Sequence, residues 1–362
     1  MPTTRHAVGR ERSRGRMSGR AVDPADLLTE EYARPGGPWD VPTLDTLLRA
    51  GTASTGVETS SPALTVVDDD GTWAPGDVEA RVARTAGGLI AAGVGRGDVV
   101  TWSATSGVGS ILLYRACWRV GALAAPFHHR SGEHDRQAVR ARLEPALVAE
   151  PSEPPDGPPV EDDRARVADL STVLFTSGST GGPRGVLHTH RSLAYKARLM
   201  VEVHGLGHGD VVLMPAPMAH VSGLLNGLLV PGVAGMTTVL LSRWDPDVAS
   251  DLVERHGVTF MVGPPTLFTG LMEVERPERL ATLRLVSSGG AGVTPAFVRE
   301  ASRRLGCVVK RTYGSTEAPT VTTSRPGDPP DRAAETEGRV TGETGATDRR
   351  SVLGEELGRR RR

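Results

Sequence analysis

An α/β protein made of two α/β units in succession is what this 362-residue sequence predicts. Short apolar runs alternate with stretches of helical period both before and after a segment rich in Pro and acid at 150–163. The length suits roughly two domains, each large enough for its own core. With 38% hydrophobic residues, 44 Gly and 27 Pro, the chain carries the many turns that such alternation needs.

In chain order, Val78, Val82, Leu89 and Ile90 mark a helix from Asp77 to Gly93, with Asp as N-cap and Gly as stop. A strand over 98–103, a helix over 110–120 ended by Gly121, and an apolar strand over 122–127 complete a βαβ unit. The 150–163 segment has no periodicity and reads as a surface loop or linker. Beyond it come strands at 172–175, 237–241, 259–262, 283–287 and 308–311, and helices at 192–203, 246–255 and 295–305. After Thr323 periodicity is lost and the chain closes on four arginines, so 324–362 reads as a disordered basic tail, matching a basic arm over 1–26. Met17 is an alternative start.

Only Lys196 and Lys310 are lysines, so 40 of the 42 basic residues are arginine. The net charge of −1 hides +5 over 1–20 and +3 over 348–362, leaving −9 on the body. An acidic body argues against nucleic acid as a partner. Cys117 and Cys307 stand apart in apolar surroundings, in no metal-binding spacing, and read as buried free thiols of a cytoplasmic protein. Val211 to Ser242 has no charged residue and the length of a membrane span, but Pro215, Pro217, His220 and Pro231 interrupt it, so no transmembrane segment is expected.

Thr176 to Val186 reads TSGSTGGPRGV directly after an apolar strand. Glycines let backbone N–H groups close on an anion and hydroxyls add donors, so the loop suits phosphate. It is neither a Walker loop, lacking G-x-x-x-x-G-K-[ST], nor a G-x-S-x-G nucleophile elbow. Three more stretches follow: MPAPMAHVSG (Met214–Gly223), SSGGAG (Ser287–Gly292) and YGSTE (Tyr313–Glu317).

Together and in this order these motifs resemble those of the adenylate-forming superfamily, in its acyl-CoA synthetase branch, over about 27–323. The stretches 43–48 and 78–100 match its N-terminal pattern more loosely. The resemblance implies subdomains at about 61–204 and at 27–60 plus 205–323. It implies that Thr176, Ser177, Gly178, Ser179, Thr180, Gly181 and Arg184 hold the β- and γ-phosphates of ATP, Arg184 standing where the family usually has Lys. Gly289, Gly290 and Ala291 would run along the adenine with Tyr313 and Gly314 against it. Thr316 would reach the α-phosphate, and Glu317 would ligate Mg²⁺. His220 would border the pocket of a small-molecule carboxylic acid, lined by Val221, Leu224, Leu225, Phe260, Val262 and Leu267, with Gly223 and Gly263 leaving room. The implied reaction forms an acyl-adenylate, from which coenzyme A displaces AMP. An aliphatic or alicyclic acid is implied, because the His220 motif lacks the Asp that pairs an amino acid's ammonium.

Members of that superfamily continue past YGSTE into a small β-barrel subdomain with a ribose-binding Asp, then a mobile C-terminal domain with a catalytic Lys. This sequence shows neither. Asp348 is left unassigned, and Lys196 and Lys310 read as surface or structural lysines. The expectation is a shortened synthetase, impaired in both half-reactions, with a non-catalytic nucleotide- or acyl-binding remnant as the alternative.

Overall fold

The computed structural model describes residues 34–50, 64–176, 183–325 and 327–342. The expected arm at 1–26 and the expected tail beyond 342 lie outside them. Two sheets with helices on their faces make up the fold, the α/β class predicted.

Helix α1 (Leu44–Ala50) leads to the hairpin β1 (Thr65–Asp68) and β2 (Gly71–Trp73), then α2 (Pro75–Ala91). Pro75 opens α2 two residues ahead of Asp77, which lies in the first turn, because proline's fixed φ suits the first helical position. Then come β3 (Val99–Ala104), α3 (Val108–Val120), β4 (Leu123–Ala124) and β5 (Phe127–His128). The single strand expected over 122–127 is two, since Pro126 has no N–H to give the ladder. Helix α4 (Glu133–Leu143), missed because only Val139 on it is buried, precedes β6 (Leu147–Ala149), β7 (Leu170–Thr176) and β8 (Arg184–Thr189). These strands form a six-stranded sheet in the order β5-β3-β4-β7-β8, with β6 on β3.

Helix α5 (His190–His204) is capped by the Thr189 hydroxyl, which accepts from the Ser192 N–H at 3.1 Å. It leads to β9 (Val211–Met214), α6 (Val221–Leu224), a π turn (Leu225–Leu229) and α7 (Val230–Ala234). The wider turn precedes Pro231, whose ring a regular helix interior would not admit. This charge-free run is core: every residue from Gly223 to Ala234 is buried, and no described helix is long and apolar enough to cross a membrane. Next are β10 (Thr237–Leu240), α8 (Pro246–His256), β11 (Phe260–Gly263), α9 (Pro265–Met272), β12 (Leu285–Ser288), α10 (Pro295–Leu305) and β13 (Val308–Tyr313). After them stand β14 (Thr322–Thr323), α11 (Pro330–Glu335) and β15 (Arg339–Val340). The second sheet has nine strands in the order β15-β14-β13-β12-β11-β9-β10-β1-β2.

Two expectations are corrected here. The chain is not disordered from 324: α11 buries Ala333 and Ala334, and β15 pairs with β14. A six-residue helix with two small apolar residues is too short to leave a periodic signal. The subdomain boundary also moves, since β1 lies parallel to β10 with Thr65 opposite Thr237, placing 65–73 in the nine-stranded sheet and not in a 61–204 unit. Helix α1, expected to group with 205–323, is bound to α2 and α3 by charge: Asp45 accepts from Arg119 Nε at 2.7 Å and Arg115 Nε at 3.0 Å, and both arginines also reach Glu79.

The segment at 150–163 is irregular but packed. Gly87 on α2 meets it so closely that a Cβ there would stand 1.8 Å from the Pro158 carbonyl oxygen. Val160 N–H donates to the Ala83 carbonyl at 2.9 Å. Cys117 is buried and Cys307 partly so, both unpaired, and burial pushes the Cys307 thiol up to about 12.

Candidate functional site

Strands β9, β11, β12 and β13 are adjacent and parallel, so their C-terminal ends open on one side of the sheet. In open α/β sheets that edge is where ligands bind. A cavity of about 540 Å³ lies there, and its lining follows the strand ends in order. Pro215 to Pro217, His220, Val221, Ser222, Leu225 and Asn226 come after β9, and Val262 to Pro264 with Leu267 close β11. Gly289 and Gly290 follow β12; Thr312, Gly314 to Thr316, Pro319 and Thr320 come from the end of β13 and the turn beyond. One side is apolar and the other is hydroxyl- and glycine-rich, so the cavity offers both an apolar surface and polar groups that can orient a ligand.

The MPAPMAHVSG stretch is held from the other sheet: the buried Tyr114 hydroxyl on α3 donates to the Met218 carbonyl at 2.8 Å. His220 precedes α6, and its N–H donates to the Pro217 carbonyl at 2.9 Å. Gly223 permits this turn, as a Cβ there would stand 2.2 Å from the Pro217 oxygen. Half-buried His128 on β5 has its pKa lowered by burial and by His129, His220 and Arg130, so a basic group of the six-stranded sheet faces the cavity's histidine.

The turn after β13 is closed by Ser315 N–H donating to the Ala318 carbonyl at 3.1 Å and Val321 N–H to the Tyr313 carbonyl at 2.7 Å. Glu317 is exposed, and its carboxyl is held below the usual range by its own N–H, by Ser315 and by nearby His188. It is therefore an ionised carboxylate near neutral pH. His188 was not foreseen. It lies on β8, 5% exposed, with Nε2 lacking a hydrogen-bond partner among the described residues, beside the Thr316 backbone and the Glu317 carboxylate. Burial lowers its pKa against the pull of those two groups. It joins strand β8 to the YGSTE turn.

Of the residues named from sequence, the structure brings His220, Val221, Leu225, Val262, Gly263, Leu267, Gly289, Gly290, Gly314 and Thr316 onto one cavity. Leu224 and Phe260 are instead fully buried in the core, a correction. Phe260 shares a strand face with Val262 but sits at the start of β11, away from the open end, against His204 at 5.2 Å between ring centroids. Ala291 and Glu317 are exposed beyond the lining, and Tyr313 is 60% exposed. Thr176 and Arg184 face each other at the base of the β7–β8 hairpin. Ser177, Gly178, Ser179, Thr180 and Gly181 fall outside the described residues.

Residues 137–347 match the sequence profile of a family described as AMP-binding enzyme. The chain belongs to the AMP-binding enzyme family. That match runs past Thr323, as the order seen to residue 342 requires. The chain is 36% identical over 152 residues to the medium-chain fatty-acid–CoA ligase of Escherichia coli, covering 41% of this chain and 27% of that one. Against the feruloyl-CoA synthase of an Amycolatopsis species it is 31% identical over 288 residues, covering 71% and 57%. Apo MatB from Rhodopseudomonas palustris superposes with TM-score 0.70 at 26% identity, over 80% of this chain and 63% of that one. The inhibitor-bound N-terminal domain of FACL13 from Mycobacterium tuberculosis shares the fold at TM-score 0.71 and 22% identity, over 83% and 82%. This member of the AMP-binding family spans between about a quarter and three fifths of the length of those two curated relatives.

Proposed function

We propose that the chain binds Mg-ATP and a carboxylic acid at the open end of the nine-stranded sheet and joins them as an acyl-adenylate, the first half of an ATP-dependent acid–CoA ligase reaction in the cytoplasm. The observation that carries this reading is the convergence of three sequence motifs, each at the end of a different strand, on one cavity.

In this reading the acid's tail lies against Val221, Leu225, Val262 and Leu267, with its carboxylate toward His220. The adenine lies along Gly289 and Gly290, where a Cβ at Gly289 would stand 2.3 Å from the Thr312 carbonyl oxygen and so close the slot. Thr316 reaches the α-phosphate, and Thr176 and Arg184 the terminal phosphates, with the loop between them. A carboxylate oxygen attacks the α-phosphorus, pyrophosphate leaves with the electron pair of the broken P–O bond, and the thiol of coenzyme A later displaces AMP. Positioning and charge compensation do the catalytic work. Glu317 fits Mg²⁺ as an ionised, exposed oxygen ligand, and no described cluster of three His, Cys, Asp or Glu could hold a metal alone. The ion would therefore be held jointly with the phosphates, the usual mode for Mg²⁺.

An aliphatic or alicyclic acid suits the apolar side of the cavity. Calorimetry with Mg-ATP, beside pyrophosphate exchange across a panel of carboxylates, tests the reading. Glu317→Ala should weaken Mg-ATP binding about tenfold or more while changing magnesium-free ATP little. Binding without exchange would identify the non-catalytic nucleotide-binding alternative, and absence of both would overturn the proposal.

A further inference from the structure

Both lysines of this arginine-rich chain are buried, Lys196 at 9% exposure and Lys310 at 0%. Among the described residues neither makes a salt bridge with a carboxylate. Each instead donates to backbone carbonyls of the same short segment, the one that follows YGSTE. Lys196 Nζ on α5 reaches the Thr320 carbonyl at 3.3 Å and the Thr341 hydroxyl at 3.3 Å, and that hydroxyl donates to the Thr320 carbonyl as well. Lys310 Nζ on β13 reaches the Ser324 carbonyl at 2.8 Å and the Val203 carbonyl at 3.4 Å.

Thr320 has φ of +50°, in the left-handed region that a β-branched residue avoids unless its surroundings impose it. It also lines the cavity, next to Pro319. Lys196 thus stands directly behind a strained piece of cavity wall. A lysine suits this place better than an arginine, being a compact cation on a flexible stem, where a planar guanidinium could not turn its donors to these acceptors. Burial also pushes Lys196 down to about 8 and Lys310 to about 7, so the cations sit there at a real solvation cost.

We propose that Lys196 and Lys310 are positioning residues that latch the segment from Pro319 to Ser324 onto α5 and β13, and that Lys196, through the Thr320 carbonyl, holds Thr320 in the conformation that completes the cavity wall. The latch is a matter of structure alone; its effect on ligand rests on the nucleotide reading given above.

Two experiments test it separately. Because Lys196, Lys310 and the terminal amine are the chain's only amines, trace labelling with acetic anhydride at pH 8, read by peptide mass spectrometry, reports each lysine against an internal standard. Both lysines should acetylate at least about a hundredfold more slowly in the folded chain than in the urea-unfolded chain at the same pH, each rate being normalised to the terminal amine, and Thr341→Val should speed Lys196 about tenfold without moving Lys310. Labelling of Lys196 at its unfolded-chain rate, or no response to Thr341→Val, overturns the latch whether or not nucleotide binds. For the wall, Lys196→Met should weaken Mg-ATP binding about tenfold, and by less than twofold in the Thr320→Gly background, where glycine adopts the positive φ unaided. Equal losses in both backgrounds would overturn the positioning role, since a merely structural lysine would cost the same in each. If wild type binds no Mg-ATP, the nucleotide reading fails and the labelling alone decides the latch.

Discussion

Two places in this molecule bury cations, and they do it by opposite means. Between α1, α2 and α3, Arg119 at 0% and Arg115 at 4% exposure meet buried Asp45 and part-exposed Glu79, and half-buried Arg49 also stands 3.6 Å from Asp45. Behind the cavity, Lys196 and Lys310 meet carbonyls and a hydroxyl, with no ion pair described. Burial alone would raise Asp45, yet Arg115 and Arg119 together bring it below the usual carboxylate range. Nothing comparable opposes burial at the lysines, and both fall. The first arrangement sets each buried cation against carboxylates and is fixed in charge, because arginine does not release its proton near neutral pH. The second is free to titrate, and it stands where the wall of the site is made.

The sharpest way to break that contrast is to remove Asp45. Asp45→Asn leaves Arg115 and Arg119 facing Glu79 alone and takes the carboxylate from Arg49, in surroundings that admit little water. Removing one partner of a buried ionic group costs about 3–5 kcal/mol, because the charges left behind are uncompensated. Urea denaturation followed by circular dichroism should show a loss of that size. A loss under about 1 kcal/mol would mean that solvent reaches the group, and that the two places do not differ as described.

Neither arrangement could be read from sequence, and the reason is the same in both. The motifs at strand ends are legible because glycine, hydroxyl and histidine in fixed order carry a chemical signature of their own, so the sequence names His220, Gly289 and Thr316 as candidates, and the fold sets all three on one cavity. Lys196 and Lys310 carry no such signature, and they read as surface or structural residues until the chain beyond Thr323 was seen folded against them. That chain read as disorder because Ala333 and Ala334 give no period and because β14 and β15 are two residues each. His188 depends on register: only the pairing of Thr172 with His188 across β7 and β8 turns it inward toward Thr316 and Glu317. Phe260 failed in the opposite sense, being apolar and near the right motif but at the wrong end of its strand.

The next effect concerns pH, and its sign separates the two places. A lysine whose folded pKa lies below its unfolded value leaves the unfolded chain holding more protons between the two, so stability rises with pH across that interval. For Lys310 the interval runs from about 7 to 10.5, and for Lys196 from about 8 to 10.5. The slope is at most about 1.4 kcal/mol per pH unit for each lysine. Lys310 faces Arg284, Arg325, Asp328 and His204, and His204 is held neutral by burial and by the neighbouring cations. Asp45 acts elsewhere on the scale: its stabilisation is present above 3.8 and is lost as pH falls through its lowered folded value. Urea midpoints of wild type and Lys310→Met between pH 7 and 9 should therefore diverge, with the variant flatter. Parallel curves would show that Lys310 keeps its proton throughout, as the arginines do.

The smallest effect is expected at Arg84, whose pair with Asp156 has good geometry and the wrong surroundings. Arg84 Nε lies 2.7 Å from the Asp156 carboxylate, and a second contact makes the pair bidentate. The side chains are 55% and 59% exposed, however, so water and salt screen the attraction and both charges remain well solvated when apart. The 150–163 segment is held in place by other means. It has the Val160 N–H bond to the Ala83 carbonyl, the Arg119 guanidinium on the Val160 carbonyl at 3.1 Å, and backbone packed directly onto Gly87. Arg84→Ala should leave the melting temperature within about 1 °C of wild type in 0.15 M salt, although the ion pair it removes is as short as those around Asp45. A loss approaching that of Asp45→Asn would show that distance alone sets the strength of an ion pair in this chain, whereas an unchanged melting temperature assigns the difference to burial.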